Sequence, residues 1–201
     1  MIKLAAFFGN PGLKYARNRH NAGRLAAQAL PFYQSLSWQK KFNGLYAQNE
    51  GIHFLMPENY MNCSGISVQA AASFFKIKIE EIIVVHDELE LPLGCISLKF
   101  SGGLGGHNGL RSMKDSFGSA DFWRLRIGID RPVKGEVYDW VLSDFSNAEQ
   151  ETLIPAIDAA ANLLMQTLTC EPETLLKDWA KKKITLPELQ QNQETEQHDN
   201  Q

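Results

Sequence analysis

The sequence predicts an α/β fold: a single-domain, three-layer α/β/α arrangement around a central twisted, mixed, mostly parallel sheet. Three observations predict it. Apolar and β-branched runs recur along the chain with helix-patterned segments between them, the alternation expected of strands joined by crossover helices. The run Ile82-Ile83-Val84-Val85-His86 is apolar on both faces, as a strand covered by helices on each side must be. The 201 residues, 44% hydrophobic and 21% charged, suffice for one core of ordinary size and would be cramped as two domains.

In chain order, strands are expected at 2–8, 44–48, 52–56, 82–86, 95–100, 123–129 and 137–141. Helices are expected near 21–30, 65–76 and 108–117, then at 147–168 and 172–182. Ser64 reads as the N-cap of the second helix, with Ala70, Ala71, Phe74 and Phe75 spaced to bury one of its faces. The globular part is expected to cover 1–187. From Glu188 onward Gln, Asn, Glu, Thr, His and Asp, with one Leu, cannot bury enough apolar area to order themselves, so 188–201 reads as a disordered polar tail.

Composition removes several function classes. The opening apolar stretch Met1–Phe8 is too short for a signal-peptide core, and no run approaches the roughly 20 residues that span a bilayer, so no membrane association is expected. Cys63, Cys95 and Cys170 contain no Cys-x-x-Cys pair, which argues against a disulfide framework or a thiolate zinc site and fits a cytoplasmic location. The net charge of −3 hides a segregation along the chain. Residues 1–49 hold seven basic side chains (Lys3, Lys14, Arg17, Arg19, Arg24, Lys40, Lys41) and no acid. Residues 97–134 add seven more against three acids, while 144–201 set eleven acids against four lysines. A positive face that binds phosphates is one reading, and charges scattered over the surface are the other.

Four segments could carry chemistry, each following a predicted strand, where open α/β sheets place their sites. The first is Gly9-Asn10-Pro11-Gly12, then Tyr15 and Arg19-His20-Asn21-x-Gly23. The turn lets backbone approach a ligand, Asn10 offers an amide, and a neutral His20 can take a proton from water. The second, Pro57-x-x-Tyr60-Met61-Asn62-x-Ser64-Gly65, puts Asn62 near a helix start, as a ligand donor or as an ordinary capped turn. The third, His86-Asp87-Glu88-Leu89-Glu90, puts Asp87 at the sheet's carboxyl end, where it could orient His20. A metal held by His86, Asp87, Glu88 and Glu90 competes, but the spacing matches no recognised ligand set, so no metal and no cofactor are expected. The fourth, Ser101 to Arg111, has five glycines within eight residues but neither the Lys-Ser/Thr of a phosphate loop nor the third glycine of a dinucleotide fingerprint. It reads as a flexible lid flanked by Lys99 and Arg111.

In this order, Gly-Asn-Pro-Gly, Arg-His-Asn-x-Gly, Tyr-Met-Asn-x-Ser-Gly, His-Asp-Glu-Leu and Gly-Gly-His-Asn-Gly-Leu, ending in Arg124-Leu125-Arg126-Ile127-Gly128-Ile129, resemble the bacterial-type peptidyl-tRNA hydrolases over roughly residues 1–185. The resemblance implies an enzyme of translation that cleaves the ester joining a stalled peptide to its tRNA, as a monomer without an obligate protein partner. It implies that His20 is the base and Asp87 the acid that stabilises its reactive form. Asn10 would help to distinguish blocked from free aminoacyl groups, and Asn62 and Asn108 would hold the substrate near the ester. Tyr15 and Tyr60 would line the same cleft. Lys99 and Arg126 would meet tRNA phosphates, and Arg111 joins them by its place after the loop. Asn18 stands where the family usually has Thr, and Phe7-Phe8 replace smaller aliphatics, which bears on the loop that delivers His20.

No Ser or Cys sits in a Gly-x-Ser-x-Gly elbow, so the expected mechanism is attack by water with no covalent intermediate. The expected partner is peptidyl-tRNA, met at its acceptor stem and single-stranded CCA end. A non-catalytic RNA-binding protein on the same fold, or a phosphate-binding module built on the glycine loop, are the rival readings.

Overall fold

The computed structural model describes residues 1–184; the tail expected over 188–201, and the end of the domain expected over 1–187, lie outside the described residues. One sheet runs through the molecule in the order β2-β3-β4-β1-β5-β7-β6-β8. The strands are β1 Leu4–Phe7, β2 Gln39–Lys41, β3 Gly44–Asn49, β4 Ile52–Pro57, β5 Ile82–Glu88, β6 Cys95–Phe100, β7 Trp123–Gly128 and β8 Lys182–Lys183. The central strands β4, β1, β5 and β7 are mutually parallel, and only β3 and β6 run against the rest. The carboxyl ends of β1, β4, β5 and β7 therefore share one rim.

Alternation along the two central strands builds both halves of the core. Ala5, Phe7, Ile83 and Val85 face α1 (Ala22–Gln28) and α5 (Asn147–Thr169), packing with Ala26, Ala27, Ala160 and Leu164. Leu4, Ala6, Ile82 and Val84 face α2 (Ser64–Phe75) and α3 (Asn108–Phe117), packing with Val68, Ala71, Leu110 and Met113. This is the expected three-layer α/β/α fold. No helix of the described residues is long and apolar enough to cross a membrane.

Four local expectations are corrected. Residues 137–141 are not a strand but the short helix α4, Val137–Val141: the segment pairs with no strand of the described sheet, and local bonds such as Trp140 N–H to Glu136 O satisfy its backbone instead. The helix expected over 172–182 is only a 3₁₀ turn at Pro172–Leu175 followed by the two-residue β8. There the chain is drawn along the edge of β6, where Leu98 N–H donates to Trp179 O and Ser97 Oγ–H to Ala180 O. β2 escaped detection because Gln39, Lys40 and Lys41 are all exposed and carry no alternation; a turn with positive φ at Phe42 and Asn43 folds it onto β3.

The fourth correction concerns α2. Ser64 is its first helical residue and Cys63 the cap, while Ala70 is exposed and Phe74 is 65% exposed. The helix turns its small side inward because α2 and α3 cross at Gly65, where a Cβ would stand 2.2 Å from Ser112 O.

A similar close approach sets the position of α1. A Cβ on Gly23 would lie 2.3 Å from Val85 O and 2.7 Å from Phe8 O, so the helix start rests directly on the backbone of β1 and β5. Gly23→Ala must push α1 off the sheet. We expect it to lower unfolding free energy by about 1–3 kcal/mol, the usual cost of overpacking, as read from denaturant unfolding. A stability equal to the parent's would show that the contact is soft.

Candidate active site

The rim formed by the strand ends opens into a cleft of about 760 Å³. Asn10, Tyr15, His20, Tyr60, Asn62, Asp87 and Asn108, all singled out from sequence, line it. Lys99, Arg111 and Arg126 do not.

His20 sits in a 3₁₀ turn, Arg19–Asn21, between β1 and α1. Its Nδ1 lies 2.9 and 3.0 Å from the two carboxylate oxygens of Asp87, which ends the central strand β5. Asp87 is 2% exposed and receives a second imidazole, since His107 Nε2 stands 3.0 Å from Oδ1. The proton positions follow from the surroundings. His107 is the N-cap of α3, and its Nδ1 accepts the N–H groups of Gly109 at 3.1 Å and Leu110 at 3.4 Å, so that nitrogen is bare and Nε2 carries the hydrogen donated to Asp87. Asp87, an acceptor on both oxygens, then takes the Nδ1–H of His20. His20 Nε2 keeps its lone pair and has no hydrogen-bond partner among the described residues.

The electrostatics agree. Burial of His20 opposes its cation, but the Asp87 charge and hydrogen bond outweigh it and raise the pKa above the ordinary histidine value. Asp87 is held well below the usual carboxylate range: burial opposes ionisation, and the attraction of His20 and His107 with their hydrogen bonds overcomes it. His86, wholly buried behind them with its Nδ1 on Asp87 O, is pushed well below the usual value by burial and by His107, and is neutral.

Asn10 is clamped on both sides. Its N–H donates to Asn21 Oδ1 at 2.9 Å, Asn21 Nδ2 donates back to Asn10 O at 3.0 Å, and Asn10 Oδ1 accepts the Met61 N–H at 2.8 Å. With the side-chain carbonyl occupied, the amide NH₂ remains for the cleft. Met61 opens the 3₁₀ turn Met61–Cys63, so the same bond sets Asn62, exposed at the cleft; Asn108, the first residue of α3, is also exposed there.

The glycine loop is anchored at its root. Arg124, buried, donates to Gly103 O at 2.6 Å and Gly102 O at 2.9 Å, and only Gly105 and Gly106 reach the cleft. Lys99 pairs with Arg124 across β6 and β7, and Ser97 pairs with Arg126, so all four share one sheet face. Arg126 is engaged, its Nη2 donating to Ser97 Oγ at 2.7 Å and its Nη1 3.5 Å from Glu88; Arg111 is exposed on α3.

His86, Asp87, Glu88 and Glu90 do not gather as a metal set. Among the described residues the group with ligand spacing is His20, Asp87 and His107, with their ligand atoms within 4.8 Å of one another. A cation there would have to displace the hydrogens that join them. Sequence reasoning passed over His107, although it stands inside a quoted motif, because an N-capping histidine has no pattern of its own. It also passed over Asn21, the α4 wall (Val137, Tyr138 and Val141) and Arg131, which lines the cleft and is paired with Glu90.

The family model of the peptidyl-tRNA hydrolases matches residues 4–187. Peptidyl-tRNA hydrolase of Treponema pallidum is 45% identical over 195 residues, 91% of this chain and 96% of that protein. The Listeria welshimeri enzyme is 39% identical over 168 residues, 81% of this chain and 91% of that protein. Two crystal structures of Acinetobacter baumannii peptidyl-tRNA hydrolase, one of a variant, are 36% identical and superpose with TM-scores of 0.81 and 0.76. They cover 88% and 89% of this chain and 93% and 96% of theirs.

The shared carboxylate has a direct spectroscopic consequence. Asp87→Asn leaves His20 buried but removes the charge that offsets burial, so its titration midpoint, followed by imidazole ¹⁵N NMR, must fall. A midpoint that stays where it was would mean that Asp87 does not govern His20.

Proposed function

The chain belongs to the peptidyl-tRNA hydrolase family, and from that premise we propose that it frees tRNA and peptide through water activated at His20 Nε2. The observation that supports this reading is the occupied carboxylate of Asp87. With His107 and His20 both donating to it, the only free imidazole nitrogen on the pair is Nε2 of His20, which belongs to a residue lining the cleft.

As the water oxygen bonds to the ester carbonyl carbon, one water proton passes to Nε2, and the cation that results rests on Asp87. The carbonyl oxygen takes up negative charge, met by the amide N–H groups of Asn10 and Asn62. When the tetrahedral intermediate collapses, the bond to the ribose oxygen breaks and that oxygen takes the proton back from His20. The products are tRNA with a free hydroxyl and a peptide carboxylic acid, which carries the second water proton and releases it to solvent as it ionises. Asn108 holds the acceptor end beside the glycine loop, and Tyr15 and Tyr60 bound the cleft. Asn10 can donate its amide N–H groups to an acyl carbonyl, while its own carbonyl oxygen is turned to the Met61 N–H, which favours blocked over free aminoacyl groups.

Lys99 and Arg126, on one sheet face, and Arg111, exposed on α3, stand outside the cleft lining and meet phosphates of the acceptor stem, Arg126 by giving up its contacts with Ser97 and Glu88. The proposal takes the enzyme to be a monomer acting in the cytoplasm.

Release of tRNA from N-acetylaminoacyl-tRNA tests the scheme. His20→Ala is expected to lose about 100- to 10,000-fold in kcat while keeping the parent's unfolding profile. The parent should keep its rate in EDTA; a rate abolished by EDTA and restored by zinc would point to a metal on His20, Asp87 and His107 instead. Binding without turnover in the parent would leave only an RNA-binding protein.

Phosphate contacts carry their own signature. Affinity for tRNA should fall as salt rises, and Lys99→Ala and Arg111→Ala should each flatten the logarithmic slope by about 1. A salt-independent affinity would place the phosphates elsewhere.

A further inference from the structure

We propose that Arg19 is a positioning residue that couples the α4 wall of the cleft to the orientation of His20. The inference rests on His20 being the base. Arg19 precedes it in the chain and is 3% exposed, an uncommon place for a guanidinium; its Nη1 and Nη2 donors all have partners, and its buried Nε has none among the described residues.

Those partners lie in one corner, the link between α4 and α5. Nη2 donates to both oxygens of Glu149, at 2.6 and 2.8 Å, and Nη1 donates to Ser143 Oγ at 3.1 Å and to the Asp144 carbonyl. The guanidinium lies 3.8 Å from the ring centre of Trp140 and 4.9 Å from that of Phe145. The Arg19 backbone N–H donates to Ser143 O at 3.0 Å, and Asn18 Nδ2 donates to Asp144 Oδ1 at 2.6 Å.

The corner is itself fixed. Glu149 Oε2 accepts the Ser146 N–H at 2.7 Å and the Ser146 hydroxyl at 2.8 Å, closing the capping box of α5. Trp140 belongs to α4, whose Val137, Tyr138 and Val141 line the cleft, and its indole N–H donates to Asp130 O at 2.8 Å. A shift of α4 against bound peptide is thus passed through Trp140 to Arg19 and on to the next residue. Apolar packing could hold such a corner with less desolvation. What the guanidinium adds is direction, since its donors form a rigid fork that fixes the turn carrying His20 against the corner.

The titratable groups that face His20 are Asp87 at the end of β5 and His107 before α3, with His86 behind them. The test compares kcat, KM and the acid limb of the pH profile in Arg19→Met, Arg19→Lys and Glu149→Gln. Expected are a fall in kcat of about 10- to 100-fold, as for a small misplacement of a reacting group, with KM little changed and the acid limb moved to lower pH. Lysine should not rescue, because it lacks the fork. Ile157→Ala, a buried position of α5 away from the corner, is the control: it should lower the melting temperature and leave the limb in place.

If the Arg19 variants do not fold, Glu149→Gln gives the same readings. An unchanged kcat and limb in folded variants, or the same limb shift in Ile157→Ala, would overturn the coupling. Loss of activity in His20→Ala beside full activity in Arg19→Met overturns the coupling alone, whereas activity in both overturns the base assignment.

Discussion

A carboxylate buried at the end of the central strand has to be hydrogen-bonded, and Asp87 meets that demand with two imidazoles brought from opposite directions. His20 arrives from the turn after β1 and His107 from the start of α3, so the charge joins two helical layers across the sheet. Each imidazole has its free nitrogen assigned by this arrangement: that of His107 caps α3, and that of His20 is left for the cleft. The site's proton inventory is thus fixed by packing before any ligand arrives, which is what preorganisation means physically.

The sheet makes such convergence possible. With β1, β4, β5 and β7 aligned, Asn10, Met61 and Asp87 stand at or after the ends of neighbouring strands, where the Met61 N–H donates to Asn10 Oδ1 and His20 bonds to Asp87. Glycine is required where the layers meet most closely. At Gly23 and Gly65 the helix backbones approach the sheet and each other more closely than any side chain allows, and the approach at Gly23 holds the helix that follows His20. Packing and chemistry therefore share residues, and the quoted motifs mix the two.

Much of this was legible in the sequence because it was written in local patterns. The buried strand 82–86, the glycine-bounded turns and the asparagines after strands each have a composition signal, but it was the resemblance of the combined motifs to a family that pointed to seven of the residues lining the cleft. Val137–Val141 misled because its valines and aromatics look like a strand until one asks which edge would pair it. Phe74 misled because helical spacing fixes a face but not which face is buried, and the crossing at Gly65 decided that. Arg19 and His107 were hidden for another reason: an arginine usually reads as surface and a histidine at a cap has no periodicity, so their roles exist only through partners distant in sequence. Arg126, read as a phosphate contact, proves engaged with Ser97 and Glu88, a cross-strand matter invisible along one strand.

His20 and Asp87 are 67 residues apart in the chain, and Arg19 and Glu149 are 130 apart. No fragment containing one supersecondary unit holds both members of either pair, so the site has no local precursor. It comes into being only when β1 has found β5 and α5 has docked beside them, contacts of large sequence separation that carry a loop-closure cost local pairings avoid. During synthesis the N-terminal motifs are made well before α5, whose Glu149 pairs with Arg19, has emerged. On the proposed scheme catalytic competence is a property of completed topology, and turnover reports on tertiary structure rather than on any segment of it.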